Sequence, residues 1–209
     1  MEIQRAIFLD RDGTLIEEVG HLYRNEDVHI YPEAFKAVRK INQCGALTIV
    51  ITNQSAIARG LLNEKELADL HGFLQEEFRR EEARIDAFFY CPHHPKAGTG
   101  TYTQECTCRK PHPGMLMFAA RELQLEMDTS YMIGDKLVDV EAGHRAGCLS
   151  VLVKTGHGES ELQLLDRGDA SAPLLKGPLQ TPDHVAENVL NAVDWIMEKP
   201  FERQPGITH

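Results

Sequence analysis

Two aspartates separated by one residue, Asp10-Arg11-Asp12, close an apolar run and lead into Gly13-Thr14. In such a pair one carboxylate can attack an electrophilic centre while the other exchanges a proton with the leaving group or with water. Gly13 lets the chain turn sharply away from a strand end. A solvated turn uses the same residue types, so the pair takes its meaning from its company. Thr52-Asn53-Gln54-Ser55 is a dense set of hydroxyl and amide groups that, with backbone N–H donors, could cradle a phosphate. Arg109-Lys110-Pro111 is a compact cationic pair in an acidic chain. Lys110 could hold a phosphoryl oxygen and balance charge on Asp10. Gly134-Asp135-Lys136, with Asp139 beyond it, offers a hard oxygen ligand for magnesium.

A second constellation is made of softer ligands. Cys91 and His93 have one residue between them, as do Cys106 and Cys108. Together they could close a tetrahedral Cys₃His zinc site, with His94 as the spare ligand. Four protein ligands leave no open position, so a structural role is expected. The ion would pin a loop, residues 91–108, that has little apolar content of its own. The remaining thiols, Cys44 and Cys148, sit beside Gly45 and Gly147 and read as buried and inert.

The elements that must position these groups alternate in type. Ala6–Leu9, Leu47–Ile51, Ala87–Tyr90, Tyr131–Ile133 and Leu149–Val153 are short, continuously apolar runs that read as buried strands. Between them lie helical periods. Pro32–Asn42 places Ala34, Val38 and Ile41 on one face. Asn63 with Glu66 forms a capping box ahead of Leu67, Leu70, Leu74 and Phe78. Pro113 opens another helix. Continuous apolar strands separated by helices predict an α/β fold: a doubly wound, mostly parallel, Rossmann-like sheet with helices on both faces. Ligands of such sheets bind at the carboxyl ends of the strands, where the polar clusters fall. Cys91–Pro111 reads as a loop, and residues 157–182 as a polar insert with a weak apolar patch at Leu162–Leu165. Val185, Val189, Val193 and Ile196 mark a last amphipathic helix. One domain over residues 1–199 is expected, with a flexible tail at 200–209.

The 209 residues are 42% hydrophobic, enough for a packed core, and carry a formal net charge of -10. That charge argues against nucleic-acid or membrane-surface binding. No run is long and apolar enough to span a bilayer, and MEIQR passes into AIFLD without the pattern of a signal peptide. A cytoplasmic monomer acting on a small molecule is expected, and close-spaced cysteines in a reducing compartment read as metal ligands.

Taken in chain order, the four polar clusters resemble the haloacid-dehalogenase-like phosphatases. The phrases FLDRDGT, TNQSAIARG, CPHHP, CTCRKPHPGML and YMIGDKLVD are similar to the D-glycero-D-manno-heptose 1,7-bisphosphate phosphatases within that superfamily. Zinc-binding histidinol-phosphate phosphatases share the plan. The resemblance implies a magnesium-dependent phosphoric monoester hydrolase without a large cap domain. Asp10 would be the nucleophile, Asp12 the acid/base, and Thr52 and Lys110 the stabilisers of phosphoryl charge. Mg²⁺ would rest on Asp10, Asp135 and the Asp12 backbone carbonyl, with Asp139 orienting Lys110 or the metal's waters. Zn²⁺ would rest on Cys91, His93, Cys106 and Cys108. Glu18, Val19, Gly20 and His21 would meet the sugar and Arg109 the distal phosphate. Arg11, Asn53, Gln54, Ser55 and Lys136 complete the expected substrate site. The substrate implied is heptose 1,7-bisphosphate, dephosphorylated at position 7 on the way to ADP- or GDP-heptose for lipopolysaccharide core or surface glycan. Histidinol phosphate is the alternative substrate. A receiver-like signalling domain would gain nothing from a base, Asp12, that hydrolyses its own phospho-aspartate. An inactive zinc-stapled binding module would not need Asp10, Asp12, Thr52, Lys110 and Asp135 together.

Overall fold

Ala6–Leu9 forms β1, and all four of its side chains are buried. A computed structural model describes residues 4–20, 25–98, 100–167 and 178–199. His21, the 200–209 tail and part of the 157–182 segment therefore lie outside the described residues. The remaining strands are β2 (Leu47–Asn53), β3 (Ala87–Cys91), β4 (Tyr131–Gly134), β5 (Leu149–Val153) and β6 (His184–Ala186). They pair in the order β3-β2-β1-β4-β5-β6, every pair parallel. The sheet is doubly wound as the alternation predicts. β1 is the point where the strand order reverses, with β2 on one side and β4 on the other. The crevice beyond its carboxyl end is where such sheets bind ligands.

Strand alternation divides the core into two faces. Ile7 and Leu9 point to the side covered by α1 (Pro32–Gln43), α3 (Glu64–Arg80) and α7 (Val189–Met197). Ala6 and Phe8 point to the side covered by α4 (Gly114–Leu123) and α5 (Leu137–Ala146). Between β2 and α3 a single turn, α2 (Ser55–Ala58), carries Ser55. The capping box forms as the sequence predicts, with Asn63 Oδ1 accepting from Glu66 N at 2.9 Å and Glu66 Oε2 accepting from Asn63 N at 2.8 Å. Leu67, Leu70, Leu74 and Phe78 are all buried below it.

Three expectations are corrected. Residues 158–167, read as part of a polar insert, form helix α6 (Gly158–Arg167). Leu162 and Leu165 seat it against Leu137, Val140 and Leu152, and Glu161 Oε2 accepts from the first N–H of α5 at 3.0 Å. Val185, read as the start of the last helix, lies in β6, and α7 begins only at Val189 behind the Asn188 cap. Cys148 is buried, but Cys44 is only half-buried and donates to the Ile41 carbonyl at 3.1 Å. No helix among the described residues is long and apolar enough to cross a membrane.

Candidate active site

Parallel pairing continues one residue past β1, where Asp10 N donates to Ile133 O at 2.9 Å. This fixes the Asp10 backbone between two strand ends and turns its carboxylate into the crevice. Lys110 Nζ lies 2.7 Å from Asp10 Oδ1, 2.6 Å from Asp139 Oδ1 and 2.8 Å from the Ile51 carbonyl. The ammonium donates hydrogen bonds to Asp10 and to the Ile51 carbonyl and is ion-paired with Asp139. Lys110 is in turn held by its backbone. Asn53 Nδ2 donates to Lys110 O, and Lys110 N donates to Asn53 Oδ1, both at 3.1 Å.

Asp135 stands at the end of β4. Its Oδ2 accepts from His157 N at 2.8 Å, while its Oδ1 is buried without a hydrogen-bond partner. Oxygens of Asp10, Asp135 and Asp139 lie within 4.8 Å of one another, and all three residues are buried. Burial, then the charges of Asp139 and Asp12, push Asp10 up to about 6 against the pull of Lys110. Burial and the neighbouring Asp10 and Asp139 push Asp135 up to about 8. One ammonium among three carboxylates leaves excess negative charge in a dry place, which disfavours ionisation. A hard divalent cation fits this donor set, and the orphaned Asp135 oxygen is the observation that argues for it.

Two glycines give Asp135 its room. A Cβ on Gly13 would lie 2.2 Å from Asp135 Oδ2. A Cβ on Gly156 would lie 2.4 Å from that oxygen and 2.5 Å from Gly13 Cα. Both have positive φ, +82° and +58°. Thr155 Oγ1 donates to Gly13 O at 2.6 Å and ties the β5–α6 turn to the Asp10–Thr14 turn. Sequence reasoning missed Thr155, Gly156 and His157. The signal was the Gly-containing turn directly after β5, at the same sheet end as the other polar clusters.

Asp12 faces away from this carboxylate group. Arg11 Nη2 grips both of its oxygens at 2.9 Å, and Arg11 Nε reaches Oδ1 at 3.1 Å. Arg11, expected on the substrate, is only 2% exposed and lies beneath the turn, with Nη1 3.5 Å from His71 Nε2. Burial holds the His71 imidazole down to about 3, so the ring is neutral and can face a guanidinium. Gln54, also expected on the substrate, is buried. Its Nε2 donates to Asp12 Oδ2 at 3.0 Å and to Thr52 Oγ1 at 2.8 Å.

A cleft of about 490 Å³ opens beside Lys110, lined by Asn53, Arg109, His112 and Lys136 among others. Arg109 Nη1 donates to the His93 carbonyl at 3.1 Å, which aims its guanidinium from the Cys/His loop. Lys136 Nζ bonds Glu18 Oε2 at 3.0 Å, and His157 Nε2 lies 3.5 Å from the same oxygen. Burial works against the Lys136 charge, but Asp135, Asp10 and Glu18 outweigh it and hold the ammonium protonated. Glu18 Oε1 also accepts from Gly20 N at 2.9 Å, and Val19 is exposed at this rim.

Cys91 at the end of β3 begins the soft-ligand cluster. Cys108 Sγ lies 3.2 Å from both Cys91 Sγ and Cys106 Sγ, and Cys91 Sγ lies 3.5 Å from Cys106 Sγ. His93 Nδ1 lies 3.4 Å from Cys108 Sγ and 3.7 Å from Cys91 Sγ. A Zn–S bond of about 2.3 Å implies tetrahedral edges of roughly 3.8 Å; the four atoms lie somewhat closer together than that, in the donor set and near the spacing that zinc requires. His94 turns elsewhere: its Nδ1 accepts from Lys96 N at 3.1 Å and Ala97 N at 2.8 Å.

A doubly wound sheet with a buried aspartate at its switch point, an acidic cation site and a lysine across from both defines a phosphatase of the haloacid dehalogenase-like class. The haloacid dehalogenase-like hydrolase family model matches residues 17–147, and a related HAD-hydrolase-like model matches residues 107–192. The D-glycero-beta-D-manno-heptose-1,7-bisphosphate 7-phosphatase of Pasteurella multocida (strain Pm70) is 40% identical over 155 residues, 74% of this chain and 84% of that protein. The D-glycero-D-manno-heptose-1,7-bisphosphate 7-phosphatase of Thermosynechococcus vestitus is 37% identical over 198 residues, 91% of this chain and 94% of that one. Among solved structures, the D,D-heptose 1,7-bisphosphate phosphatase of B. bronchiseptica, in complex with magnesium and phosphate, superposes with a TM-score of 0.79. It is 28% identical and covers 93% of this chain and 99% of its own. The chain belongs to the heptose-1,7-bisphosphate 7-phosphatase family of haloacid dehalogenase-like hydrolases.

Proposed function

We propose that this chain removes the 7-phosphate of D-glycero-D-manno-heptose 1,7-bisphosphate through a phospho-aspartate on Asp10. The observation that carries this reading is the pairing of two cationic sites. Lys110 sits against Asp10 at 2.7 Å, and Arg109 and Lys136 line the adjoining cleft. A bisphosphate needs one phosphate at the nucleophile and cations for the other. The reaction belongs before nucleotide activation in ADP- or GDP-heptose formation, where the 1-phosphate must survive.

Asp10 attacks phosphorus in line, and the bond from phosphorus to the sugar oxygen breaks. Asp12, protonated, gives its proton to that oxygen and is left as a carboxylate. It then takes a proton from water, whose oxygen attacks the phosphorus. The bond to Asp10 breaks, inorganic phosphate leaves, and Asp10 and protonated Asp12 are restored. Thr52 and Lys110 meet charge on the phosphoryl oxygens. Asp10, Asp135 and the Asp12 backbone carbonyl are the Mg²⁺ ligands in this reading, and Asp139 orients Lys110. When bound, Mg²⁺ brings two anions together and withdraws charge from the phosphoryl group. Cys91, His93, Cys106 and Cys108 hold a structural Zn²⁺ that fixes Arg109.

The test is phosphate release from both heptose 1,7-bisphosphate anomers, histidinol phosphate and fructose 1,6-bisphosphate, measured with Mg²⁺ at equal enzyme. A kcat/KM highest for a heptose bisphosphate is expected. A highest value for histidinol phosphate overturns the substrate assignment.

A further inference from the structure

Gln54 was expected to touch substrate, yet its amide is buried and both of its N–H bonds are used within the protein. We infer that Gln54 is a positioning residue that couples the acid/base Asp12 to the phosphate-binding hydroxyl of Thr52. The inference rests on the phospho-aspartate reading above and assigns Gln54 a part in that reaction.

The argument starts from the end of β2. Thr52 and Asn53 are its last two residues, and Gln54 N donates to Cys91 O at 2.8 Å, so the backbone leaves the sheet in a fixed direction. Gln54 then sits directly before α2 with its side chain turned back under the crevice. Which end of the amide faces Asp12 follows from charge. An amide oxygen against the Asp12 carboxylate would repel it, while the NH₂ group is attracted. With the NH₂ inward, one hydrogen goes to Asp12 Oδ2 at 3.0 Å and the other to Thr52 Oγ1 at 2.8 Å.

Each bond has a separate effect. On Thr52, the amide occupies a lone pair of the hydroxyl. The hydroxyl hydrogen is then left to point elsewhere, and a phosphoryl oxygen at Asp10 is its natural acceptor. On Asp12, the amide adds to the Arg11 fork, so the same oxygen, Oδ2, receives donors from both sides. These donors fix the direction of the carboxylate. Direction is what the second half of the reaction needs, when Asp12 takes a proton from the attacking water. With a leaving group that departs without a proton, only that half depends on Asp12, so there Gln54 bears on hydrolysis of the phospho-enzyme more than on its formation.

This asymmetry separates the inference from a substrate contact. With 4-nitrophenyl phosphate the leaving group departs without needing a proton, so the first half proceeds without the acid. Gln54→Leu removes both donors at similar volume. Gln54→Glu keeps the shape but replaces the NH₂ group by oxygen. In both variants a burst of nitrophenolate matching the enzyme concentration is expected. A steady rate slowed roughly tenfold to a hundredfold should follow, less than the loss expected on removing the acid–base group itself. Acid-quenched protein should carry phosphate on Asp10, and KM should not rise. The burst amplitude counts intact sites, so the steady rate divided by that amplitude is free of any loss of folded protein. An unchanged steady rate per intact site, a raised KM at unchanged kcat, or a burst phase slowed as much as the steady rate per intact site overturns the inference. Asp10→Asn serves as the control. If that variant turns over normally, the phospho-aspartate reading itself has failed.

Discussion

Asn53 and Lys110 hold each other by a closed pair of hydrogen bonds across 57 residues of sequence. The amide of one residue reads the backbone of the other, so the ammonium opposite Asp10 is aimed without any bond to its own side chain from Asn53. Asn53→Ala leaves the Lys110 N–H and carbonyl without these partners. Each lost bond costs on the order of 1 kcal/mol. A tenfold or greater fall in kcat is expected, with a smaller change in KM, because in the proposed mechanism Lys110 meets charge that develops during the reaction. Steady-state kinetics on the heptose bisphosphate decide this, and an unchanged kcat would falsify it.

Arg109 should discriminate between substrates. Its guanidinium lines the cleft and is steadied by the His93 carbonyl. If it grips the distal phosphate, Arg109→Ala should lower kcat/KM for the bisphosphate roughly a hundredfold and for a heptose monophosphate far less. Equal losses on the two substrates would remove the distal-phosphate role.

The Cys₃His cluster predicts about one zinc per chain by elemental analysis. Cys106→Ser should lose it, and activity should fall while the Mg²⁺ concentration needed for half-maximal rate stays where it was. The reason is spatial: Cys108 is directly followed by Arg109 and Lys110, while Asp10 and Asp135 directly follow β1 and β4. A zinc-free protein with full activity contradicts the structural role.

A pH-dependent tie lies far from the site. His144 Nε2 is 2.7 Å from Asp183 Oδ2, its Nδ1 is 2.7 Å from Leu179 O, and Ser150 N donates to Asp183 Oδ2 at 2.7 Å. Both ring nitrogens can donate only when the imidazole is charged. Burial opposes that charge, but Asp183 and the Leu179 carbonyl outweigh it and raise His144 above its ordinary 6.5. Burial likewise opposes the Asp183 charge, but His144 and Ser150 lower it below 3.8. The His144 contribution is therefore complete below about pH 6.5 and lost as pH rises through its raised value. The Asp183 contribution is complete above about pH 3.8 and lost in stronger acid. His144→Ala should cost on the order of 1 kcal/mol near pH 5.5 and less near pH 9. Denaturant melts of both proteins at the two pH values measure it, and a gap that is the same at both pH values refutes it.

Local pattern made most of the frame readable. β1 and β5 have the bounds expected from their apolar runs, and the capping box at Asn63 forms because its partners lie three residues apart. The cysteine cluster was readable for the same reason, since the members of each close pair have a single residue between them. What sequence spacing could not reveal was contact across long separations. Thr155 bonds Gly13 over 142 residues, and Asn53 bonds the Lys110 backbone over 57. Arg11 was expected on the substrate from the family resemblance, and Gln54 from its place in the polar cluster at the end of β2. Here burial beneath the turn sends them to Asp12. β6 and α6 escaped notice because a three-residue strand and a helix seated by two leucines carry little periodic signal.

The contact of Gly13 with Gly156 around Asp135 bears on how such an enzyme could be redesigned. Even a methyl group at either position would enter the space of the Asp135 carboxylate, so neither position can be randomised while the floor of the crevice stays open. Glu18 and Val19 on one segment meet Lys136 at the start of α5 to form a rim, and Val19 is exposed there. A library aimed at new phosphorylated sugars should therefore vary the rim and hold positions 13 and 156 fixed. Its members would then inherit the same reaction chemistry and differ in which molecule is admitted to it.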